Sequence, residues 1–559
     1  MSSAAEAQAS ERRRIMSQKQ PPQGQPPTFS ARYSDAASAI FGAFAHHGKP
    51  LRGLMSTAKS PNFEGRFGRM FRSLPAGTYG RTDNDSRNAL LMLGTLMTSS
   101  FDAPKDGFDA EESGIPALYT YFGQFVDHDI TFDPMTTLIK HSDPDALTDF
   151  RTPALDLDNV YGRGPGDQPY LYDSGGLKFV LGDSLNNGAP DLPRNNANPA
   201  RALIGDPRND ENSIVSQFQA LMLRFHNRTV DDNPGLPLPA LQQIVRWHYQ
   251  WVVIHDFLPK IITASVLEGL KTGGNYDQKK LEFFHWKNRP FMPVEFSVAA
   301  YRLGHSMIRP GYRLNDDDST LLPIFPVPSQ GLSNGLTGFQ AMEKNRGIDW
   351  GRFIDLDGDI RAYGDDPDKV NPPNADMKRR LQFAYRIDTS LVTPLSDLPS
   401  SVASDPPPSL PQRNLLRGFE LGLPTGQSVA KAMKIKPLTD DQIIIGKAVD
   451  QPSGDDVVGN LSSIPQLAAF KGKCPLWTYI LAEAANNRAT LNIPATPGKK
   501  ISTPQLGPVG GRIVAETFLG LLFGDHDSFL NAEPDWVPTI RNKGKQFALR
   551  DIVAYAIGK

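Results

Sequence analysis

A chain of 559 residues with 39% hydrophobic and 21% charged positions can bury a large core, and its length alone allows three or four domains as readily as one. A formal net charge of −2 without a basic face gives no footing for nucleic acid. The single cysteine, Cys474, excludes an intrachain disulfide and a thiolate-based zinc or iron–sulfur site.

Residues 1–28 are rich in Ser, Ala, Gln and Pro and read as a disordered tail, because they cannot bury enough apolar surface to offset chain entropy. No apolar run reaches the roughly 18 residues of a membrane span, and the N-terminus lacks a signal-peptide core. Cytoplasmic residence is therefore the default expectation, with export by a route that leaves no N-terminal signal kept open. The run from Asn88 to Met97 predicts a buried helix. The next predicted helix, about Ala117 to Ile130, carries Tyr121-Phe122-Gly123-Gln124-Phe125-Val126-Asp127-His128-Asp129. Helical spacing puts Gln124 and His128 on one face with Asp127 beside them, so an amide, an imidazole and a carboxylate share the rim of one pocket. A satisfied core histidine followed by a helix-end charge would look the same in isolation.

Next comes Thr152-Pro153-Ala154-Leu155-Asp156-Leu157-Asp158. Oxygen-bearing groups at alternate positions, in a segment that Pro153 keeps from being a continuous helix, can converge on a hard cation such as calcium, and Asp129 could tie this loop to the back of the pocket helix. The EF-hand Gly and terminal Glu are missing. Gly162-Arg163-Gly164-Pro165-Gly166 follows no clear strand, which argues against a phosphate cradle.

Gly205-Asp206-Pro207-Arg208-Asn209-Asp210-Glu211-Asn212 opens a long helix whose apolar residues recur at helical spacing, with Arg208 and Glu211 near its start. A helix from about Ala240 to Leu258 holds His248 and His255, both read as structural, and Phe283-Phe284-His285-Trp286 reads as packing. The fourth motif is Ala299-Ala300-Tyr301-Arg302-Leu303-Gly304-His305-Ser306-Met307-Ile308-Arg309-Pro310, where Gly304 would let a flat, bulky group approach the backbone beside His305. The Pro- and Asp-rich stretch 359–376 and Ser400–Pro411 read as surface excursions.

These four motifs, in this order, resemble the haem peroxidases of the animal type, in the peroxidase–cyclooxygenase superfamily, as a bacterial-like member would. The resemblance runs from about residue 80 to the C-terminus and includes Gly511–Phe523, similar to a late helix of the family. It implies a mainly α, large single-domain helical fold with little β structure, spanning residues 29–559. It further implies a haem b held between the 117–130 helix and a helix bearing His305.

By the same resemblance, His305 is the proximal iron ligand and Asn414 accepts its other ring proton, while Arg417 pairs a haem propionate. His128 is the distal base, Arg208 the distal cation, and Gln124 the amide that holds water or a halide. Asp127 and Glu211 coincide with the carboxylates that form ester links to haem. Asp129, Thr152, Ala154 through its carbonyl, Asp156 and Asp158 match the calcium ligands, although Ser is common where Asp158 stands. Asn212 occupies the place of a sulfonium-forming Met, which implies a haem that favours phenols, iodide, bromide or thiocyanate over chloride.

The expected activity is reduction of hydrogen peroxide with oxidation of such donors, a role suited to the response to oxidative stress. Neutral His128 is required, so an acid limb near the imidazole pKa of about 6.5, moved by its surroundings, is expected. Two alternatives are a haem-dependent fatty-acid dioxygenase and a non-catalytic haem-carrying adhesive or structural protein. The first would carry a Tyr where Arg302 stands, and retention of His128, Arg208, His305 and Asn414 together speaks against the second.

Overall fold

The computed structural model describes residues 65–105, 109–132, 149, 151–318, 320–356, 380–447, 458–493, 498 and 500–559. The proposed tail and the 359–376 excursion lie outside the described residues. The fold is helical, with the β structure among the described residues confined to two-stranded pieces. The principal helices are α1 (Asp83–Leu96), α2 (Leu118–Ile130), α3 (Ser213–Asp232), α4 (Leu238–Val252), α5 (Leu410–Glu420), α6 (Leu476–Asn486), α7 (Pro508–Gly524) and α8 (Leu549–Ile557). One continuous set of buried apolar side chains runs from Phe67 to Ala556. No described helix is long and apolar enough to cross a membrane.

Helix α1 begins earlier than its apolar run suggests, because Thr82 and Asp85 form a reciprocal capping box that satisfies two of the first-turn donors. Helix α2 has no side-chain cap, and long-range backbone contacts pin its start instead. Strand β1 (Glu112–Pro116) pairs antiparallel with β2 (Phe383–Tyr385) and delivers the chain directly into α2. There the Ala117 and Leu118 N–H groups donate to Gln382 O and Phe353 O. Phe122 and Phe125 then meet Phe218 of α3 and Tyr249 of α4 edge to face, at 5.1 to 6.2 Å between ring centres. The aromatic cluster fixes the rotation of α2 about its axis, and with it the direction of the polar face.

Three local expectations change on folding. The long helix expected to open at 205–212 starts at Ser213. Pro207–Asp210 forms a 3₁₀ turn, and Asn212 caps α3 by accepting from Ile214 N and Val215 N. The 240–258 helix stops being α-helical at Val252 and continues as a π turn, Val253–Phe257, before the short Leu258–Ile261 helix. His305 ends a 3₁₀ turn, Ala300–His305, and not the helix expected there. The turn is held by its neighbours: Trp477 Nε1 of α6 donates to Arg302 O at 3.3 Å, and Tyr301 Oη donates to Gly123 O of α2 at 3.1 Å.

Candidate active site

The polar face of α2 and the His305 turn border one cavity, which encloses about 1260 Å³ of space free of protein atoms, its mouth included. Gln124, Asp127 and His128 enter it from α2, Arg208, Glu211 and Asn212 from the segment before α3, and Gly304 and His305 from the opposite side. Residues from three of the four motifs therefore share one space, and the 152–158 loop does not line it.

His128 is buried, and its Nδ1 lies 2.7 Å from Asn209 Oδ1. The orientation of that amide is fixed, since Asn209 Nδ2 donates to Gln219 Oε1 at 2.8 Å. The amide oxygen is thus left to accept Nδ1–H, which makes Nε2 the basic nitrogen on the cavity side. Burial, assisted by the Arg208 charge, lowers the His128 pKa to about 4. Arg208 does not pair with Glu211. Its Nη2 donates to Asp206 Oδ2 at 2.8 Å and to the backbone oxygen of His128 at 3.0 Å, and its guanidinium carbon sits 4.4 Å from the Phe132 ring centre.

Asp206 is fully buried between Arg208 and Arg151. Burial opposes its ionisation, but the two guanidinium groups outweigh that and hold it well below the usual carboxylate range. Glu211 is hydrogen-bonded by Gln124 Nε2, and burial raises its pKa to about 7. Asn212 Nδ2 donates to Gln124 Oε1 at 3.3 Å, so the same side chain caps α3 and orients the cavity amide.

On the opposite wall, His305 Nδ1 lies 2.8 Å from Asn414 Nδ2 of α5. Burial, with Arg302 nearby, lowers the His305 pKa to about 3 and keeps the ring neutral. For Nε2 to act as a ligand, Nδ1 must carry the proton, and Asn414 must present its oxygen, a half-turn of the amide away from the orientation seen. A Cβ added at Gly304 would meet nothing within 4 Å, so the backbone beside His305 faces open space. Arg417 is half-buried on α5 and does not line the cavity; the basic residues that do, besides the histidines and Arg208, are Arg302 and Arg413.

Behind α2, one ligand atom from each of Asp129, Asp156 and Asp158 lies within 4.8 Å of the others. Asp129 Oδ1 and Thr152 Oγ1 are buried with no hydrogen-bond partner among the described residues, and burial together with Asp156 pushes the Asp129 pKa far up. Each of the three carboxylates accepts a hydrogen bond, from Tyr249, Asp158 N–H and Arg151 respectively, and the buried oxygens left over are of the kind a hard cation satisfies. The alternation anticipated from sequence is present: Pro153, Leu155 and Leu157 are buried, while Thr152, Ala154 and Asp156 are half-exposed on the other side of the strand-like segment. Asp158 departs from it, being buried and ion-paired to Arg151 Nη1 at 2.8 Å.

Sequence reasoning missed Asn209, Gln219, Asp206 and Arg151. Asn209 meets Gln219 across 10 residues and His128 across 81, and Arg151 meets Asp206 across 55, separations that no local spacing announces; the Asp206–Arg208 pair is local and could have been read from the sequence.

Residues 139–330 match the family model for animal haem peroxidase, a span that includes the 152–158 loop, Arg208 and His305 but not His128 or Asn414. Thyroid peroxidase of Rattus norvegicus is 28% identical over 199 residues, covering 31% of this chain and 21% of its own length. Dual oxidase of Drosophila melanogaster is 26% identical over 153 residues, 24% of this chain and 8% of that protein. The chain thus matches about a fifth or less of the length of these relatives. Among solved structures, peroxidase A of Dictyostelium discoideum superposes with a TM-score of 0.54 at 15% identity, covering 91% of this chain and 99% of that one, a likeness of fold.

Proposed function

We propose that the chain is an animal-type haem peroxidase, on the match of residues 139–330 to that family, and that it reduces hydrogen peroxide and oxidises phenols and small anions such as iodide, bromide or thiocyanate in the cavity between α2 and the His305 turn. The observation that carries this reading is the pair of neutral histidines lining one cavity, His128 with Nδ1 2.7 Å from Asn209 Oδ1 and His305 with Nδ1 2.8 Å from the Asn414 amide. The residues fit a haem: His305 would supply an iron-ligating nitrogen, Gly304 leaves the backbone beside it open, and Arg302 and Arg413 line the same cavity and would supply cations for the carboxylates of the group. Asp127 and Glu211 border the same space and are the residues that would form ester links to it. A haem bound there supplies the oxidising equivalents that peroxide delivers.

The chain's own residues handle the protons. His128 Nε2 takes a proton from one peroxide oxygen and returns it to the other, so that water can leave. Arg208, already fixed by Asp206 and the His128 carbonyl, offers a charge that needs no reorganisation as the O–O bond polarises. Gln124 is held between Glu211 and Asn212, where it can donate to a distal water or halide. We further propose calcium at Asp129, Thr152, the Ala154 carbonyl, Asp156 and Asp158, on the strength of the converging oxygens.

The test is peroxide-dependent oxidation of a phenolic dye by haem-loaded protein, wild type beside His128→Ala at matched Soret absorbance. A fast wild type and a variant slowed by roughly 100-fold or more support the assignment. Equal, slow rates with haem bound overturn it. Oxygen uptake with linoleate, absent in the peroxidase reading, would then bring the dioxygenase alternative forward.

A further inference from the structure

Tyr119, buried in the first turn of α2, borders two cavities. It lines the proposed haem cavity, and it also lines a separate cavity of about 1040 Å³, mouth included, together with Ile115, Asp256, Lys260, Ile354 and Leu491. The π turn at Val253–Phe257 produces this arrangement. An extra residue in that turn sends Phe257 into the haem cavity and Asp256 into the second one. There Asp256 Oδ2 accepts from Tyr119 Oη at 2.7 Å and from the Leu549 N–H of α8 at 2.8 Å. Lys260 Nζ lies 4.8 Å from the Tyr119 ring centre and 3.4 Å from Asp256 Oδ1.

We propose that Tyr119 and Asp256 form a proton-coupled electron relay between the haem cavity and the second cavity, which accepts a phenol carried on a molecule too large to enter the first. The inference rests on the peroxidase reading, which supplies the oxidant. In the relay, Tyr119 gives one electron to the peroxide-oxidised haem and its phenolic proton to Asp256 Oδ2, becoming a neutral tyrosyl radical. A phenol in the second cavity then gives one electron to that radical and releases its own proton to water. Tyr119 recovers its proton from Asp256. Each turn reduces the haem by one electron, oxidises the donor by one electron and one proton, and leaves the protein unchanged.

The surroundings enforce the coupling. With the Lys260 ammonium over the ring, electron loss without proton loss would set two positive charges face to face. Asp256 is the acceptor that removes the conflict. Burial and the Asp256 carboxylate keep the resting phenol protonated. The donor class follows from the chemistry: a tyrosyl radical exchanges one electron with another phenol at nearly matched potential, whereas oxygen transfer to a halide requires direct access to the haem. The walls suit such a donor, with apolar Ile115, Ile354 and Leu491 for the ring and the charged Asp256, Lys260, Asp355 and Arg550 among the other lining residues.

The experiment uses haem-loaded full chain, wild type, Tyr119→Phe and Asp256→Asn, with three donors: iodide, a free small phenol, and tyramine coupled to dextran. The relay predicts that oxidation of dextran-bound tyramine, taken relative to iodide, falls by roughly tenfold or more in both variants. It also predicts that a nitroso spin trap added with peroxide, in the absence of donor, marks the Tyr119 peptide in wild type and not in Asp256→Asn, as read by peptide mass mapping. Asp256→Asn keeps an acceptor for Leu549 N–H while removing the base, so the relay is tested without emptying the contact. Equal oxidation of the tethered phenol by all three proteins, or no adduct at Tyr119, overturns the relay while leaving the peroxidase reading intact. If wild type oxidises none of the donors, that reading fails and the relay falls with it.

Discussion

Asn209→Leu removes the acceptor of His128 Nδ1–H while keeping side-chain volume, and it should slow the first reaction with peroxide by roughly thirtyfold. The magnitude follows from the buried contacts. Both Asn209 and Gln219 are fully buried, and the chain His128 Nδ1, Asn209 and Gln219 is joined at 2.7 and 2.8 Å. Without Asn209 the productive tautomer leaves a buried N–H unsatisfied, a cost of about 1–3 kcal/mol. The ring escapes that cost by moving its proton to Nε2, which consumes the base. A bias of about 2 kcal/mol toward the wrong tautomer corresponds to a rate loss of roughly thirtyfold at about 1.4 kcal/mol per decade.

The assay is stopped-flow mixing of haem-loaded protein with peroxide, following the Soret band at matched haem content, with the thermal midpoint recorded to separate this effect from misfolding. Asn209→Asp provides the opposite electrostatic case. Its carboxylate favours the imidazolium, so the acid limb moves to higher pH, whereas Asn209→Leu cannot move it upward. A wild-type second-order rate constant in Asn209→Leu would refute the tautomer argument, and an unmoved limb in Asn209→Asp would refute the contact.

In the wild type, His128 titrates at about 4, lowered by burial and by Arg208. The imidazole is the active base above that pH and a spent one below it, so the peroxide rate should stay flat from neutrality to near pH 5 and fall about tenfold per unit below 4. A limb centred at 6 or above would show that a different group controls the step. For the cation, removal of calcium by chelation should lower the thermal midpoint, since a ligand at a hundredfold excess over its Kd adds about 2.7 kcal/mol to the folded state. Asp156→Asn should abolish that calcium dependence, as read by calorimetry with metal content measured in parallel. An unchanged midpoint and no bound metal would remove calcium from the 152–158 loop.

How much of the site was legible depends on how far apart its members stand. Gln124, Asp127 and His128 are neighbours on one helix, and Thr152, Ala154 and Asp156 fall at alternate positions, so their shared faces follow from the periods of helix and extended chain. The same holds for the helical character of α2 and α3 and for the packing role of His248, whose Nδ1 lies 2.7 Å from Ile244 O and whose Nε2 accepts from Thr539 and Ile540 N–H.

Tertiary structure decided the rest. That His128 is read through Asn209, that the Asp206 partner of Arg208 is shared with Arg151, and that Arg413 and not Arg417 lines the cavity are outcomes of packing between elements distant in the chain. The 3₁₀ turn at His305 and the π turn at Asp256 break the local helical period because Trp477, Gly123 and the α8 backbone supply hydrogen bonds from outside. The shift of the His128 pKa from an ordinary 6.5 to about 4 has the same origin. Spacing along the chain names the groups that can do chemistry, but only the assembled core sets how dry each group is and which charge stands beside it.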